Sequence, residues 1–401
     1  MTTHYSSRIG VLLVTLACGP APAPVVRPGI EVLLADSIHL VAGRRVGLLA
    51  NHAGVDARGV EDLTLLRDAG MTVTALFSPE HGWRGLLDTE NIGGGLDSAT
   101  GIPVHSLYGD IREPTPAMLE SVDVILVDLP DVGARTYTYV STALRTLRAA
   151  GTHGVTVVVL DRPNPIGGML VQGPLLDTRY ASFVGMLPVP LRHGMTLGEL
   201  MRFGREVLAI PGDLRVVPAA GWHRAQWVDA TGLPWIRPSP NMPDLESASH
   251  YPGFVLFEAT DLSVGRGTPL AFQVIGAPWL DAPGLVTALA TVPGLAVIDT
   301  IVTPEGATDR KYDHVAFPAI RLRVTDRAVY DPVRAAVIAL AWLHQHHGAD
   351  LRLDADRFDQ LAGGPALREA LESGVGPETI AETWEPALTA FRAQRSRFLL
   401  Y

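Results

Sequence analysis

Cysteine is almost missing from these 401 residues. The single Cys18 excludes an intrachain disulfide and a multi-cysteine zinc site. Basic charge is also short: 32 Lys and Arg against 42 Asp and Glu give a formal net charge of −10. A nucleic-acid binder would carry a basic face, so that class of partner is not expected. Three short signatures are absent. No Gly-x-Gly-x-x-Gly follows the first apolar strand, which argues against a dinucleotide site. No His-x-x-x-His or comparable spacing suggests a catalytic metal. No Gly-x-Ser-x-Gly elbow supports a serine hydrolase built on Ser78, Ser182 or Ser263. No cofactor is expected.

What is present describes a globular chain with a large core, at 47% hydrophobic and 18% charged residues. The length suits two domains. At the N-terminus, Arg8 precedes the apolar run Ile9–Ala17, which is too short for a helical membrane span of ~20 residues but suits an export signal. Thr15-Leu16-Ala17-Cys18 is similar to a bacterial lipobox, so Cys18 is the expected lipidation site and the only expected link to a membrane. Gly19–Pro24 reads as a stiff, extended tether. Residues 1–28 are therefore assigned to export and tethering, with the protein placed at the cell envelope.

From residue 29 the chain alternates apolar runs with helical spacing. Arg45–Ala50, Met71–Phe77, Ile102–Tyr108, Val122–Asp128 and Val155–Leu160 read as strands, and Val60–Ala69, Pro114–Ser121 and Tyr137–Ala150 as helices. Strands that are continuously hydrophobic imply a mostly parallel sheet covered on both faces, an α/β doubly wound, Rossmann-like domain over 29–245. Thr196 with Glu199 forms a capping box that starts a helix over Leu197–Leu208, and Leu214–Val217 is a short strand. Pro234–Pro243 cannot be regular structure and marks the domain boundary. Residues 246–401 are expected to form a smaller α/β domain, with strands at Phe254–Glu258 and Ala319–Val324 and helices over Val333–Gln345, Pro365–Ser373 and Pro386–Arg395.

Ligands of a doubly wound sheet bind beyond the carboxyl ends of its strands. Three strands end there in Pro79-Glu80-His81, Asp128–Arg135 and Asp161-Arg162-Pro163-Asn164. Glu80 and Glu258 occupy matching contexts, each after an apolar run and before a Gly/Arg loop. Two carboxyl groups flanking a bond are what glycoside hydrolysis requires, one of them as proton donor. A dry neighbourhood raises a donor's pKa, and Phe77 and Trp83 are the candidates to supply it. Asp128, Asp131 and Asp161 are competing carboxylates. Arg84, Arg135, Arg162 and Arg266 lie on the same loops, and guanidinium forks suit a carboxylate-bearing ligand. Trp83, Tyr137, Tyr139 and Trp235 offer stacking faces.

Several long motifs then occur in one order: Ser-Pro-Glu-His-Gly-Trp-Arg-Gly at 78–85, Pro-Val-His-Ser-Leu-Tyr-Gly at 103–109, and Asp-Val-Gly-Ala-Arg at 131–135 before Tyr137-Thr-Tyr139. They continue with Leu-Asp-Arg-Pro-Asn-Pro at 160–165, Arg-His-Gly-Met-Thr-Leu-Gly-Glu-Leu at 192–200, Pro-Ser-Pro-Asn-Met-Pro at 238–243 and Gly-Arg-Gly-Thr at 265–268. From about Gly29 to Tyr401 the chain resembles the bacterial exo-β-N-acetylmuramidase family. Two departures fall on expected crevice loops: the family pattern carries glutamine where this chain has Pro130, and glutamate where it has Val264. The resemblance implies an active site between the two domains and release of terminal N-acetylmuramic acid from peptidoglycan fragments. Carried over, Glu80 is the general acid and Glu258 its partner. His81, Arg84, Asp131, Arg135, Tyr137, Asp161, Arg162, Asn164, His193, Asn241 and Arg266 are the expected substrate contacts, with Arg135 and Arg266 holding the lactyl carboxylate. The alternatives are a non-catalytic muropeptide-binding protein and a wall-sugar esterase or deacetylase.

Overall fold

The structure is a computed structural model that describes residues 26–85, 87–89 and 92–401. The export segment up to residue 25, with Cys18, lies outside the described residues. Twelve strands are described: β1 (Arg45–Ala50), β2 (Thr72–Ser78), β3 (Gly95–Leu96), β4 (Pro103–Ser106), β5 (Val124–Asp128), β6 (Thr156–Leu160), β7 (Gln172–Leu175), β8 (Pro190–Arg192), β9 (Leu214–Val217), β10 (Val274–Gly276), β11 (Leu295–Val302) and β12 (Phe317–Val324). The α-helices are α1 (Gly29–Asp36), α2 (Asp62–Asp68), α3 (Pro116–Leu119), α4 (Tyr139–Thr152), α5 (Leu197–Val207), α6 (Leu245–Phe254), α7 (Ala282–Leu289), α8 (Pro332–His347), α9 (Ala355–Ala362), α10 (Ala366–Glu372) and α11 (Pro377–Arg395).

Seven strands form one sheet in the order β3-β4-β2-β1-β5-β6-β9. All pairings are parallel except that of the two-residue edge strand β3. Every residue of β5, and all but the first of β1 and β6, is buried. That explains their unbroken apolar sequences, because a parallel sheet is covered on both faces. The chain order reverses between β1 and β5, which makes their carboxyl ends the switch point of the sheet. There Ala50 pairs with Asp128, and one strand away Leu49 pairs with Phe77. Asn51, Glu80 and the residues after Asp128 therefore leave the sheet at nearly one level.

The second domain has an antiparallel sheet, β10-β12-β11, packed with α6, α7 and α8. Its core is continuous with that of the first domain: Phe77, Val127 and Tyr139 belong to the same buried cluster as Phe257, Leu340 and Phe391. The contact between α6 and α8 leaves no room for a side chain at Gly253, where a Cβ would meet the Pro332 carbonyl oxygen at 1.9 Å. The chain end returns to the first domain. There the Tyr401 hydroxyl donates to Asp161 Oδ2 at 2.8 Å, and the Leu400 N–H donates to Glu199 Oε1 at 2.8 Å.

Two expectations are corrected. Phe254–Glu258 is not a strand: α6 ends at Phe254 and a 3-10 turn follows over Val255–Ala259. Phe254 to Phe257 are all buried, so the run has no period to separate helix from strand. The last helix begins at Pro377, nine residues before Pro386, which sits inside it.

Candidate active site

β2 delivers Glu80. Pro79 ends the strand, because it has no N–H for the ladder, and the chain turns at His81 and Gly82 with φ of +72° and +76°. A left-handed non-glycine residue costs about 1 kcal/mol or more and persists where its surroundings fix it. Here the His81 Nδ1–H donates to the Leu87 carbonyl oxygen at 2.8 Å. Thr138 stands at the N-cap position of α4, where a threonine ordinarily accepts from the helix's own N–H groups. Its hydroxyl donates instead to Glu80 Oε2 at 2.5 Å. Asn51, leaving β1, donates to the Tyr139 hydroxyl at 3.0 Å, and that hydroxyl donates to the Pro238 carbonyl oxygen at 2.7 Å. The switch point thus holds Glu80 against the start of α4.

The opposite wall comes from the second domain. The 3-10 turn presents Glu258, and Arg266 donates to its Oε1 from Nε at 2.9 Å and from Nη2 at 2.5 Å. Lys311 Nζ caps the turn by donating to the carbonyl oxygens of Phe257, Glu258 and Leu262 at 3.1–3.3 Å. Asp88 joins the two walls: its Oδ2 accepts from Asn241 at 2.7 Å, from Thr308 at 2.5 Å and from Arg266 at 3.4 Å. Burial pushes the Asp88 carboxyl up, but the Thr308 hydrogen bond, the Arg266 charge and the Asn241 hydrogen bond outweigh it and hold it below the usual carboxylate range. Burial likewise pushes the Arg266 guanidinium down, and Glu258 and Asp88 reverse the effect, keeping it charged.

Glu80 and Glu258 line one narrow cavity of about 100 Å³, together with His81, Asp88, Tyr137, Tyr251, Asn241, Arg266 and Arg357. The Tyr251 hydroxyl senses both glutamates: burial first, then the charges of Glu258 and Glu80, push this phenol up. A larger surface hollow, about 780 Å³, lies along β9 and α5 instead. The one carboxylate on its wall, Glu206, is paired with Arg397 at 3.0 Å, so it offers no free acid for bond cleavage.

Of the residues singled out in the sequence, Glu80, His81, Tyr137, Tyr139, Asn241, Glu258 and Arg266 come together at this cavity. The others lie elsewhere, with most of their polar atoms engaged by the protein, although Asp131 Oδ1, Arg135 Nε and Trp235 Nε1 are buried without a hydrogen bond. Arg84 pairs with Glu61 at 3.2 Å and Asp97 at 3.1 Å. Arg135, assigned to the lactyl carboxylate, is buried behind the cavity and donates to the carbonyl oxygens of Pro174, Val189 and Leu361 at 2.8–2.9 Å. Burial without a counter-charge pushes its pKa down to about 9. Asp131 and His193 face each other at 3.2 Å, while Asp131 also accepts from the Gly133 N–H and His193 Nδ1 from the Met195 N–H. Asn164 bridges Met195 and Ile166.

Asp161 holds the start of α5 and the chain end, accepting from the Thr196 hydroxyl at 2.6 Å, the Gly198 N–H at 2.8 Å and Tyr401. Burial pushes its carboxyl up to about 7. Arg162 grips both oxygens of Asp128 and the Val55 carbonyl. Among the aromatics, Trp83 and Trp235 pack against hydrophobic clusters, and Val264, one of the departures from the family pattern, is fully buried.

The site also contains residues the sequence reading missed. Thr138 and Tyr251 sit inside helical patterns, and Asp88 and Thr308 lie in loops without a local signature. Arg357 looks like an ordinary surface residue of α9.

Comparison with known proteins places this arrangement. Models of the N- and C-terminal parts of the exo-beta-N-acetylmuramidase NamZ match residues 46–246 and 249–401. The peptidoglycan beta-N-acetylmuramidase NamZ of Bacillus subtilis is 39% identical over 386 residues, which cover 95% of this chain and 92% of that protein. Two DUF1343 family proteins of Bacteroides fragilis have the same fold. One has a TM-score of 0.87 at 31% identity, covering 95% of this chain and 100% of its own; the other has 0.73 at 30%, covering 94% and 99%. With both parts of the NamZ model matched in order along nearly its whole length, this chain belongs to the exo-β-N-acetylmuramidase NamZ family.

Proposed function

We propose that the chain is an exo-acting glycosidase that releases terminal β-linked N-acetylmuramic acid from peptidoglycan fragments during wall turnover. The observation that carries this reading is the pair of glutamates on opposite walls of one cavity, differently partnered. Glu258 is tied to Arg266 as an ion pair. Glu80 has only a hydroxyl donor on its carboxyl and no ion pair among the described residues. Glu80 is the proton donor: its proton passes to the glycosidic oxygen as the bond to the anomeric carbon breaks, and the leaving sugar departs neutral. Glu258 holds its negative charge on the other side, where the sugar ring becomes cationic. Water supplies the hydroxyl of the product, and the second proton of that water restores Glu80.

Cleavage of the disaccharide β-N-acetylmuramyl-N-acetylglucosamine by wild type and Glu80→Gln tests the reading. Loss of turnover in the variant is expected, and full activity would remove Glu80 from the mechanism. Export and anchoring through Cys18 belong to the same proposal, since the substrate lies in the envelope. Palmitate labelling in the intact cell, lost in Cys18→Ala, checks it.

A further inference from the structure

Muramic acid differs from other wall hexosamines by its lactyl carboxylate, so an enzyme that selects it needs a cation free to meet that group. Neither arginine named from the sequence meets this need. Arg135 is sealed behind the cavity by three backbone carbonyls. Arg266 lines the cavity but directs Nε and Nη2 at Glu258 and Nη1 at Asp88. The cavity wall contains one other guanidinium, that of Arg357.

Arg357 is half-buried in the first turn of α9. Its backbone N–H is held by the capping carboxylate of Asp354 at 3.0 Å. Its guanidinium makes no hydrogen bond and no ion pair among the described residues, although Glu80, Glu258 and Asp88 line the same cavity. The helix is firmly placed at both ends. The Asp354 N–H donates to the Ala259 carbonyl oxygen at 2.8 Å, and Leu353 bridges Thr260, so α9 is fixed to the turn that carries Glu258. At its other end, Arg135 donates to the Leu361 carbonyl oxygen at 2.9 Å. The side chain is thus unengaged while its backbone is pinned beside the glutamates.

We propose that Arg357 is the specificity-determining residue that receives the lactyl carboxylate of the terminal muramic acid, through the two-bond pairing a guanidinium fork offers. Arg135 acts behind it as a positioning residue for α9. The assignment rests on the proposed muramidase activity, and the test separates the two. Calorimetric titration of the full chain with free N-acetylmuramic acid, and with the same sugar carrying a lactyl amide, reads recognition without turnover. Wild type is expected to bind the acid on the order of 10–100-fold more tightly than the amide, as loss of a charge-assisted pair implies. Arg357→Ala should remove that preference, and Arg357→Lys should keep part of it. Equal affinity for acid and amide in wild type, no binding of either, or an unchanged preference in Arg357→Ala would overturn the assignment. Failure of wild type to cleave the disaccharide, with acid preference intact, would instead overturn the hydrolase reading.

Discussion

Two groups of ionisable residues stand at the carboxyl edge of the sheet, and they differ in what their polar atoms already touch. In one, Arg162 pairs with the buried Asp128, which lies beside the buried Asp62, and Asp161 ties α5 to the chain end. In the other, Glu80 and Glu258 look into an open cavity with one partner each. Both contain carboxylates after strands and arginines on loops. The first is framework because the bonds of Asp128, Arg162 and Asp161 close on the protein, and the second is chemistry because Glu80 Oε1 and Glu258 Oε2 take no hydrogen bond among the described residues.

Substitutions can break this contrast. The largest effect is expected from Glu80→Gln: a loss of about 10²–10⁴-fold in kcat on the disaccharide with an unchanged melting temperature, read by product release and calorimetry. Arg162→Met should do the reverse. It leaves Asp128 buried without a counter-charge, a loss of about 3–5 kcal/mol, seen as a lower urea midpoint. Should Arg162→Met stay stable and lose only activity, the division would be misdrawn.

Asp161 sharpens the contrast through pH. Its folded pKa, about 7, lies above the ordinary value of 3.8, so between those values the folded chain holds a proton that the unfolded chain has released. Stability should therefore fall as pH rises through that window, by at most about 1.4 kcal/mol per unit, and level off above about 7. Asp161→Asn should flatten this part of the urea-midpoint profile. The smallest effect belongs to Arg84→Ala. Arg84 and Glu61 are exposed, and the buried Asp97 keeps the Thr100 N–H and hydroxyl as donors, so stability should change by less than about 1 kcal/mol and kcat should stay unchanged.

The fold was legible where burial is two-sided, because runs such as Val124–Asp128 leave no alternative to a central strand. The Thr196–Glu199 box was legible because capping is local chemistry, and both of its bonds are present. Phe254–Glu258 was misread for the opposite reason, since burial all round erases period. The site was half legible. Sequence marked the polar strand exits but not which of them close on the framework, because the partners of Arg135 and His193 lie at distant positions. Arg357 carried no signal at all: its role depends on where α9 packs, and on what its guanidinium leaves unbound.

The most direct measurement compares leaving groups. Wild type, Glu80→Gln and Glu258→Gln are assayed on the disaccharide and on a nitrophenyl β-N-acetylmuraminide, whose phenolate departs without a proton. With Glu80 as acid and Glu258 as the anionic partner, Glu80→Gln should fail on the disaccharide and recover much of its rate on the nitrophenyl substrate, while Glu258→Gln should fail on both. Wild-type cleavage of the disaccharide by Glu80→Gln, or by Glu258→Gln, would contradict the assignment.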